Sequence, residues 1–434
     1  MRRVALLARV VYGAKNGFAH IASALEAAGL LGGEARIIFT EDPASDARRL
    51  EVKGYRPVVL YGVSTPVFLE LEEEIRSIAS RYPVVAGGPH AEGAYWHLLR
   101  DGALAAVIGD GEAAITGLVE YMLGWRDISS VPNIAYIDSG RFRTSRVVLV
   151  DLDEYKPYSE VLNLYPPIEI MRGCMYRCRF CQVPWQFKSS VRYRSPGPVR
   201  DAVRVYVRHG RRDIRFIAPV GFAYMSVDGK PNPSAIEELL KGVRSEGGKP
   251  YLGTFPSETR PEYIDPEVLN IVKRYAANKR ISIGLQSGSE DLLKRVGRGH
   301  GVAEALEAVE LVLKHGFGVV VDLIFGMPGE AEEDVEETIE VMYKLAGMGA
   351  KMRLHTFLPL PGTPYARTRP QGIHPKYRRA VLRLLGRGVF EGDWREQEEL
   401  AWRMYCRMAR DPYPSTEPRP LPGYTRYCTT RNTS

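Results

Sequence analysis

The chain has 434 residues, 45% apolar and 26% charged, the balance of a folded globular protein with room for two or three domains. No uninterrupted apolar run reaches the roughly 18 residues that a membrane-spanning helix needs. The formal charge is +7, and twelve Arg or Lys against seven Asp or Glu fall between residues 371 and 434. That surplus suits an anionic substrate or nucleic acid, and equally an Arg-rich solvated surface.

The opening MRRVALLARVVYG reads as a buried first strand rather than a signal peptide, so the expected location is cytoplasmic. Up to about residue 125, short β-rich runs (VALLARVV, ARIIFT, PVVLYGV, PVVAGG, AAVIGD) alternate with helical stretches such as FAHIASALEAAGL. This alternation predicts an open, Rossmann-like parallel α/β sheet over residues 1–130. Residues 131–165, with IAYIDSGRFRTSRVVLV, read as a linker containing a hairpin. From 166 to 370 a second alternation begins. Its strands IEIMR, IRFIAPV, PYLGTF, ISIGLQ, VVVDLIFG and MRLHTFLPL predict a partial (β/α)6 TIM barrel, with its chemistry at the strand C-terminal ends. Residues 371–434 are expected to form a helical, Arg-rich C-terminal extension.

Three of the five cysteines, Cys174, Cys178 and Cys181, fall in one C-x3-C-x2-C loop leaving the first barrel strand. Such crowding points to metal binding in a reducing compartment rather than a disulfide scaffold. Thiolates favour iron–sulfur clusters or zinc. A structural zinc site calls for a fourth nearby ligand, and the next cysteine is Cys406. Three buried cysteines without metal is the remaining alternative. Cys406 lies in a helical pattern and reads as core; Cys428 is given at most a minor role.

With an aromatic, Phe180, before its third cysteine, this loop resembles that of the radical S-adenosylmethionine (SAM) superfamily. The resemblance covers about residues 166–370. It implies a [4Fe-4S] cluster whose open iron is chelated by SAM, and reductive cleavage of SAM to a 5′-deoxyadenosyl radical. The usual Gly-Gly-Glu at the second strand end is replaced by Ala218-Pro219-Val220-Gly221, whose carbonyls are assigned to the SAM amino group. Glu258 and Arg260 are assigned to ribose hydroxyls and carboxylate. Gln286 and Ser287 at the fourth strand end, Gly326 at the fifth and Leu358 at the sixth complete the expected SAM contacts. The segments around these last four resemble the branch containing methylthiotransferases and cobalamin-dependent enzymes.

The first domain lacks GxGxxG and GxxxxGK, which removes support for dinucleotide or ATP binding. Its turns Gly62-Val63-Ser64-Thr65, Gly87-Gly88-Pro89-His90 and Gly109-Asp110-Gly111-Glu112 all follow strands. They resemble the cobalamin-binding domain of class B radical SAM methyltransferases. The resemblance implies cobalamin contacts at Tyr12, Ser64, Thr65, Gly87, Gly88, Pro89, Gly109, Asp110, Gly111 and Glu112. No Asp-x-His-x-x-Gly supplies a cobalt ligand, and His20 reads as a helix-surface residue. No cysteine precedes Cys174, whereas methylthiotransferases carry three there for a second cluster.

The expected function is therefore cobalamin-dependent methylation of an unactivated carbon. SAM would serve both as methyl donor to cobalamin and as radical source, with a ferredoxin- or flavodoxin-type electron donor. The alternatives are a radical SAM enzyme that joins or cyclises carbon centres without methyl transfer, as in lipids, and a non-enzymatic cobalamin- or redox-sensing module. Trp185, Tyr193 and Trp394 are possible substrate contacts, with packing an equal reading for each.

Overall fold

The computed structural model describes residues 3–11, 14–186, 190–411 and 428, which fall into two compact units. The first comprises residues up to 166 together with 360–362 and the described residues from 406 onward; the second comprises 167–359 and 363–405.

In the first unit β1 (Val4–Arg9), α1 (Ala14–Ala27), β2 (Ala35–Thr40), α2 (Pro43–Val52), β3 (Arg56–Gly62), α3 (Thr65–Ala79), β4 (Val84–Gly87), α4 (Pro89–Arg100), β5 (Ala105–Val107) and α5 (Gly111–Leu123) alternate. β6 (Ile134–Asp138) and β7 (Arg141–Thr144) follow, and the strand order is β2-β1-β3-β4-β5-β6-β7. β1 to β5 are parallel; β6 and β7 are antiparallel, a hairpin extending the sheet to the edge.

The near-continuous apolar runs have a physical reason. Along β1, Val4, Leu6 and Ala8 join the core under α1 and α5, whereas Ala5 and Leu7 join the core on the opposite face. A strand buried on both faces cannot alternate with polar residues. The order 2-1-3-4-5 reverses direction between β1 and β3, where open parallel sheets place their ligand crevice.

The second unit begins with β8 (Ile168–Glu169) and β9 (Met171–Arg172), then α6 (Val183–Gln186), β10 (Arg192–Tyr193), α7 (Pro196–Arg208), β11 (Asp213–Ile217), α8 (Pro233–Ser245), β12 (Lys249–Tyr251) and α9 (Pro266–Tyr275). It continues with β13 (Arg280–Gln286), α10 (Glu290–Arg295), α11 (Val302–Lys314), β14 (Gly318–Phe325), α12 (Glu332–Gly347), β15 (Lys351–Thr356), α13 (Pro375–Leu384), β16 (Phe390–Glu391) and α14 (Trp394–Arg410). Helix starts are written in the chain: Asn232-Pro233 and Asp265-Pro266 each place a capping side chain on the first-turn amides and a proline where no N–H is needed.

The six expected barrel strands form in two parallel groups, β12-β11-β8 and β13-β14-β15, the latter extended by β16. Between β12 and β13 the ladder is replaced by the segment after β12, whose Thr259 bridges Ile283. The barrel is partial, as expected. β16 is a departure from the purely helical extension, because a two-residue strand carries no periodic signal.

Candidate active site

The cysteine loop leaves β9 through Gly173, at φ +86°, and a Cβ there would fall 1.8 Å from the Ser190 carbonyl oxygen. Only glycine lets the two backbone segments meet and turn the loop. The loop is then tied down. Arg179 donates its N–H to the Val296 carbonyl (2.9 Å), Cys181 to the Cys178 carbonyl (3.2 Å), and the Trp185 indole also donates to the Cys178 carbonyl (3.3 Å).

Cys174, Cys178 and Cys181 are free thiols, the first two buried. Burial pushes the Cys174 thiol up and the Cys181 thiol up to about 12, so bare thiolates at these two positions are disfavoured without a cationic centre to bind them. Among the described residues no three His, Cys, Asp or Glu side chains converge on the position of a single metal ion. The donor set itself, three thiolates on one loop, fits a four-iron cluster, which these cysteines would anchor.

Two guanidiniums face Cys178 Sγ: Arg260 Nη1 at 3.6 Å and Arg298 Nη1 at 3.5 Å. Arg298 is buried, and its other terminal nitrogen donates to the Gly284 carbonyl. Gly284 makes room for this: a Cβ there would stand 2.9 Å from Arg298 Nη2 and 2.7 Å from Gln286 Nε2. Gln286, at φ +83°, sits at a bulge in the β13–β14 register, a strained backbone of the kind concentrated at functional sites. Arg260 stacks over the Tyr176 ring (3.5 Å to its centroid) and pairs with Glu262. Burial opposes ionisation of Glu262, but its hydrogen bond with His300 and the charge of Arg260 hold its carboxyl down at about 2.

The expected SAM contacts are not all placed alike. Glu258 lies 3.2 Å from Arg353. Ala218 N–H donates to the Pro256 carbonyl, and Gly221 N–H to that of Glu258, so the second and third strand ends meet. Phe180 packs with Leu292, Val296 and Met327. Ser287 is buried, its hydroxyl 3.2 Å from that of Thr338. The Gly372 backbone lies against Gly326, whose N–H donates to Glu330 (2.9 Å). Leu358 is half-buried just beyond β15. Arg298 was not singled out from sequence; its signal was the Gly-Arg-Gly-His loop that follows α10.

In the first unit Ser64, Gly87–Pro89 and Gly109–Glu112 follow the C-terminal ends of three adjacent parallel strands, on one edge of the sheet. Thr65 is buried, its hydroxyl 3.2 Å from His90 Nδ1. Asp110 accepts from the Val150 N–H (2.8 Å). Glu112 Oε1 lies 3.1 Å from His20 Nδ1, and both are buried. His20 is therefore not a helix-surface residue: α5 packs on α1 and covers it. Tyr12 lies outside the described residues.

Cys406 and Cys428, expected as core and minor residues, are bonded to each other. Trp394 is buried against Phe325, and Tyr193 OH lies 3.5 Å from Ser226 Oγ. In the extension Arg378 pairs with Glu398, and Lys376 with Glu332 (2.6 Å).

Residues 168–342 match the radical SAM superfamily, and residues 2–119 match the B12 binding domain. The chain joins a B12-binding domain to a radical SAM domain. An uncharacterised protein of Methanocaldococcus jannaschii is 24% identical over 410 residues, 84% of this chain and 79% of that protein. A putative methylthiotransferase of the same organism is 32% identical over 172 residues, 40% of this chain and 37% of its own length. The tRNA-2-methylthio-N(6)-dimethylallyladenosine synthase of Chlorobium limicola is 26% identical over 61% of this chain and 59% of its own length. The chain thus spans well under two thirds of these two enzymes.

The fold is that of two cobalamin-dependent radical SAM enzymes. The radical SAM methyltransferase TsrM of Kitasatospora setae, with cobalamin and a [4Fe-4S] cluster bound, aligns with a TM-score of 0.67 at 17% identity, covering 85% of this chain and 77% of TsrM. OxsB, with aqua-cobalamin and SAM bound, aligns with a TM-score of 0.62 at 17% identity, covering 78% of this chain and 52% of OxsB. A radical SAM domain implies a [4Fe-4S] cluster and SAM, and the B12-binding domain supports cobalamin. No helix among the described residues is long and apolar enough to cross a membrane.

Proposed function

We propose that the chain is a cobalamin-dependent radical SAM methyltransferase acting on an unactivated carbon, with its cluster on Cys174, Cys178 and Cys181. The observation that carries this reading is the three-thiol loop, faced by Arg260 and Arg298, in a chain that also holds a B12-binding domain. When bound, the cluster supplies the electron that breaks the sulfonium bond of SAM, and cobalamin supplies a carrier for the methyl group.

The chain's own residues do the holding. The cysteines anchor the cluster, and Arg298 and Arg260 bring positive charge to the thiolate side, where a reduced cluster and the SAM carboxylate both gain from it. Ser64 and the turns at Gly87 and Gly109 provide the sheet edge for the cobalamin tail. The methylthiotransferase relatives raise sulfur insertion as a competitor. Cys406 is bonded to Cys428, so all the free thiols among the described residues belong to one loop, which favours a single cluster and methyl transfer.

The test is anaerobic purification with iron and cobalamin assays, then incubation with methyl-labelled SAM and a low-potential donor such as flavodoxin. Nucleoside release with label in a carbon-methylated product is expected. The combined variant C174A/C178A/C181A should lose iron and nucleoside release; retention of both defeats the reading.

A further inference from the structure

A row of polar side chains crosses the inside of the partial barrel, and apart from Glu258, an expected SAM contact, no role above uses it. Arg353 on β15 reaches Asp322 on the neighbouring β14 (Nε to Oδ1, 2.7 Å) and Glu258 in the segment after β12 (Nη2 to Oε1, 3.2 Å). That segment meets the sheet at β13, two strands from β15, so the contact with Glu258 is a chord across the concave face. Alternation along β15 agrees: Met352, Leu354 and Thr356 are buried, whereas Lys351, Arg353 and His355 are half-buried. His355 is the last of the inward residues before the strand's C-terminal end, where barrel chemistry sits. Its side chain keeps 34% exposure.

The state of its ring follows from a chain of donors. The Thr356 backbone N–H has only one role, and it donates to Gln397 Oε1 (2.8 Å). The other end of the Gln397 amide is then its NH2 group, which lies 3.4 Å from His355 Nδ1. Nδ1 must accept, and a neutral imidazole that accepts at Nδ1 carries its proton on Nε2. A charged ring would set two donors against each other. Nε2 is 3.9 Å from Asp322 Oδ1, beyond hydrogen-bond distance, so its proton is available to a ligand.

The geometry points to His355 as a substrate-binding residue, a neutral imidazole that offers Nε2–H inside the barrel to an uncharged acceptor oxygen, such as a carbonyl, on the molecule being modified. Charge selects against an anion there. Asp322, Glu258, Asp393 and Glu391 act on this region against Arg353 and Arg298, four carboxylates to two guanidiniums. A carboxylate or phosphate at Nε2 would meet that surplus, whereas a carbonyl gains a donor without repulsion. Burial and the nearby Arg353 outweigh Glu258, Asp393 and the Gln397 contact and hold the His355 ring below its ordinary value, in the same neutral state. This inference rests on the barrel being the seat of the SAM chemistry, which nucleoside release by the wild type tests separately.

Deuterium exchange at the imidazole carbon, read by mass spectrometry on the full cluster-loaded chain, reports the titration of His355. The midpoint should fall below the ordinary histidine value of about 6.5. In Gln397→Glu a carboxylate faces Nδ1, and the midpoint should rise by about one unit or more. A wild-type midpoint at or above the ordinary value, or no movement in Gln397→Glu, overturns the locked neutral ring. N,N-dimethylacetamide, an uncharged acceptor without donors, should slow exchange at His355 more than acetate does at equal ionic strength. Acetate matching or exceeding the amide, or neither acting, overturns the substrate class.

Discussion

Arg298 Nη1 lies 3.5 Å from Cys178 Sγ while Nη2 of the same guanidinium donates to the Gly284 carbonyl at the end of β13. One buried side chain thus links the cysteine loop to the fourth barrel strand. Arg298→Met removes the charge and strands the Gly284 carbonyl, at a cost of about 1–3 kcal/mol. Iron loading per chain and nucleoside release should both fall, the latter by tenfold or more, with a lowered thermal midpoint. Arg298→Lys restores charge but not the fork, and should recover only part of each.

Gly173→Ala is expected to damage the site more than the fold. The added Cβ collides with the Ser190 carbonyl, and a backbone at φ +86° strains any other residue. Iron content should drop sharply, while far-ultraviolet circular dichroism stays close to that of the wild type.

Glu330 gives the protein a pH-dependent stability term. Burial raises its carboxyl from about 4.5 to about 7, partly opposed by donors from Tyr377 (2.9 Å) and Gly326. A folded-state value above the unfolded one means the folded state holds the extra proton. Its contribution is full below about 4.5 and is lost as pH rises through about 7, roughly 3 kcal/mol in all. Glu330→Gln keeps an acceptor and removes the titration. Urea unfolding at pH 5 and pH 8 should differ less in this variant than in the wild type.

In the first unit, Glu112→Ala should destabilise the B12-binding domain by about 1–3 kcal/mol, because it leaves the buried His20 ring without the carboxylate beside it. Hydrogen exchange in α1 and α5 should accelerate, with the barrel helices unchanged. Glu112→Gln should recover most of the loss.

What the sequence made legible follows from the range of the signals. The parallel strands were readable because burial on both faces demands runs such as VVLYG and VVVDLIF, and each run is local. The cysteine loop was readable because its spacing lies within eight residues. The partners of that loop were not. Arg298 in a Gly-Arg-Gly-His stretch looks like any solvated arginine until α10 brings it back to Cys178. Glu258 and Arg260 stand two residues apart, yet each is claimed from elsewhere, by Arg353 and by Cys178 with Glu262. His355 carried a weak signal: Arg353 and His355 interrupt an apolar strand at alternate positions, as inward-facing polar residues do. The Cys406–Cys428 bond had none, since 22 residues separate the two without a pattern.

The hairpin beyond β5 changes how the first sheet can meet other molecules. A parallel sheet ending at β5 would leave a row of apolar strand backbone unpaired, a template for a stranger's strand. β6 covers that row, and β7 becomes the rim, short and carrying Arg141 and Arg143. Two like sheets approaching rim to rim would bring four guanidiniums together, so this border resists fusion into larger β aggregates.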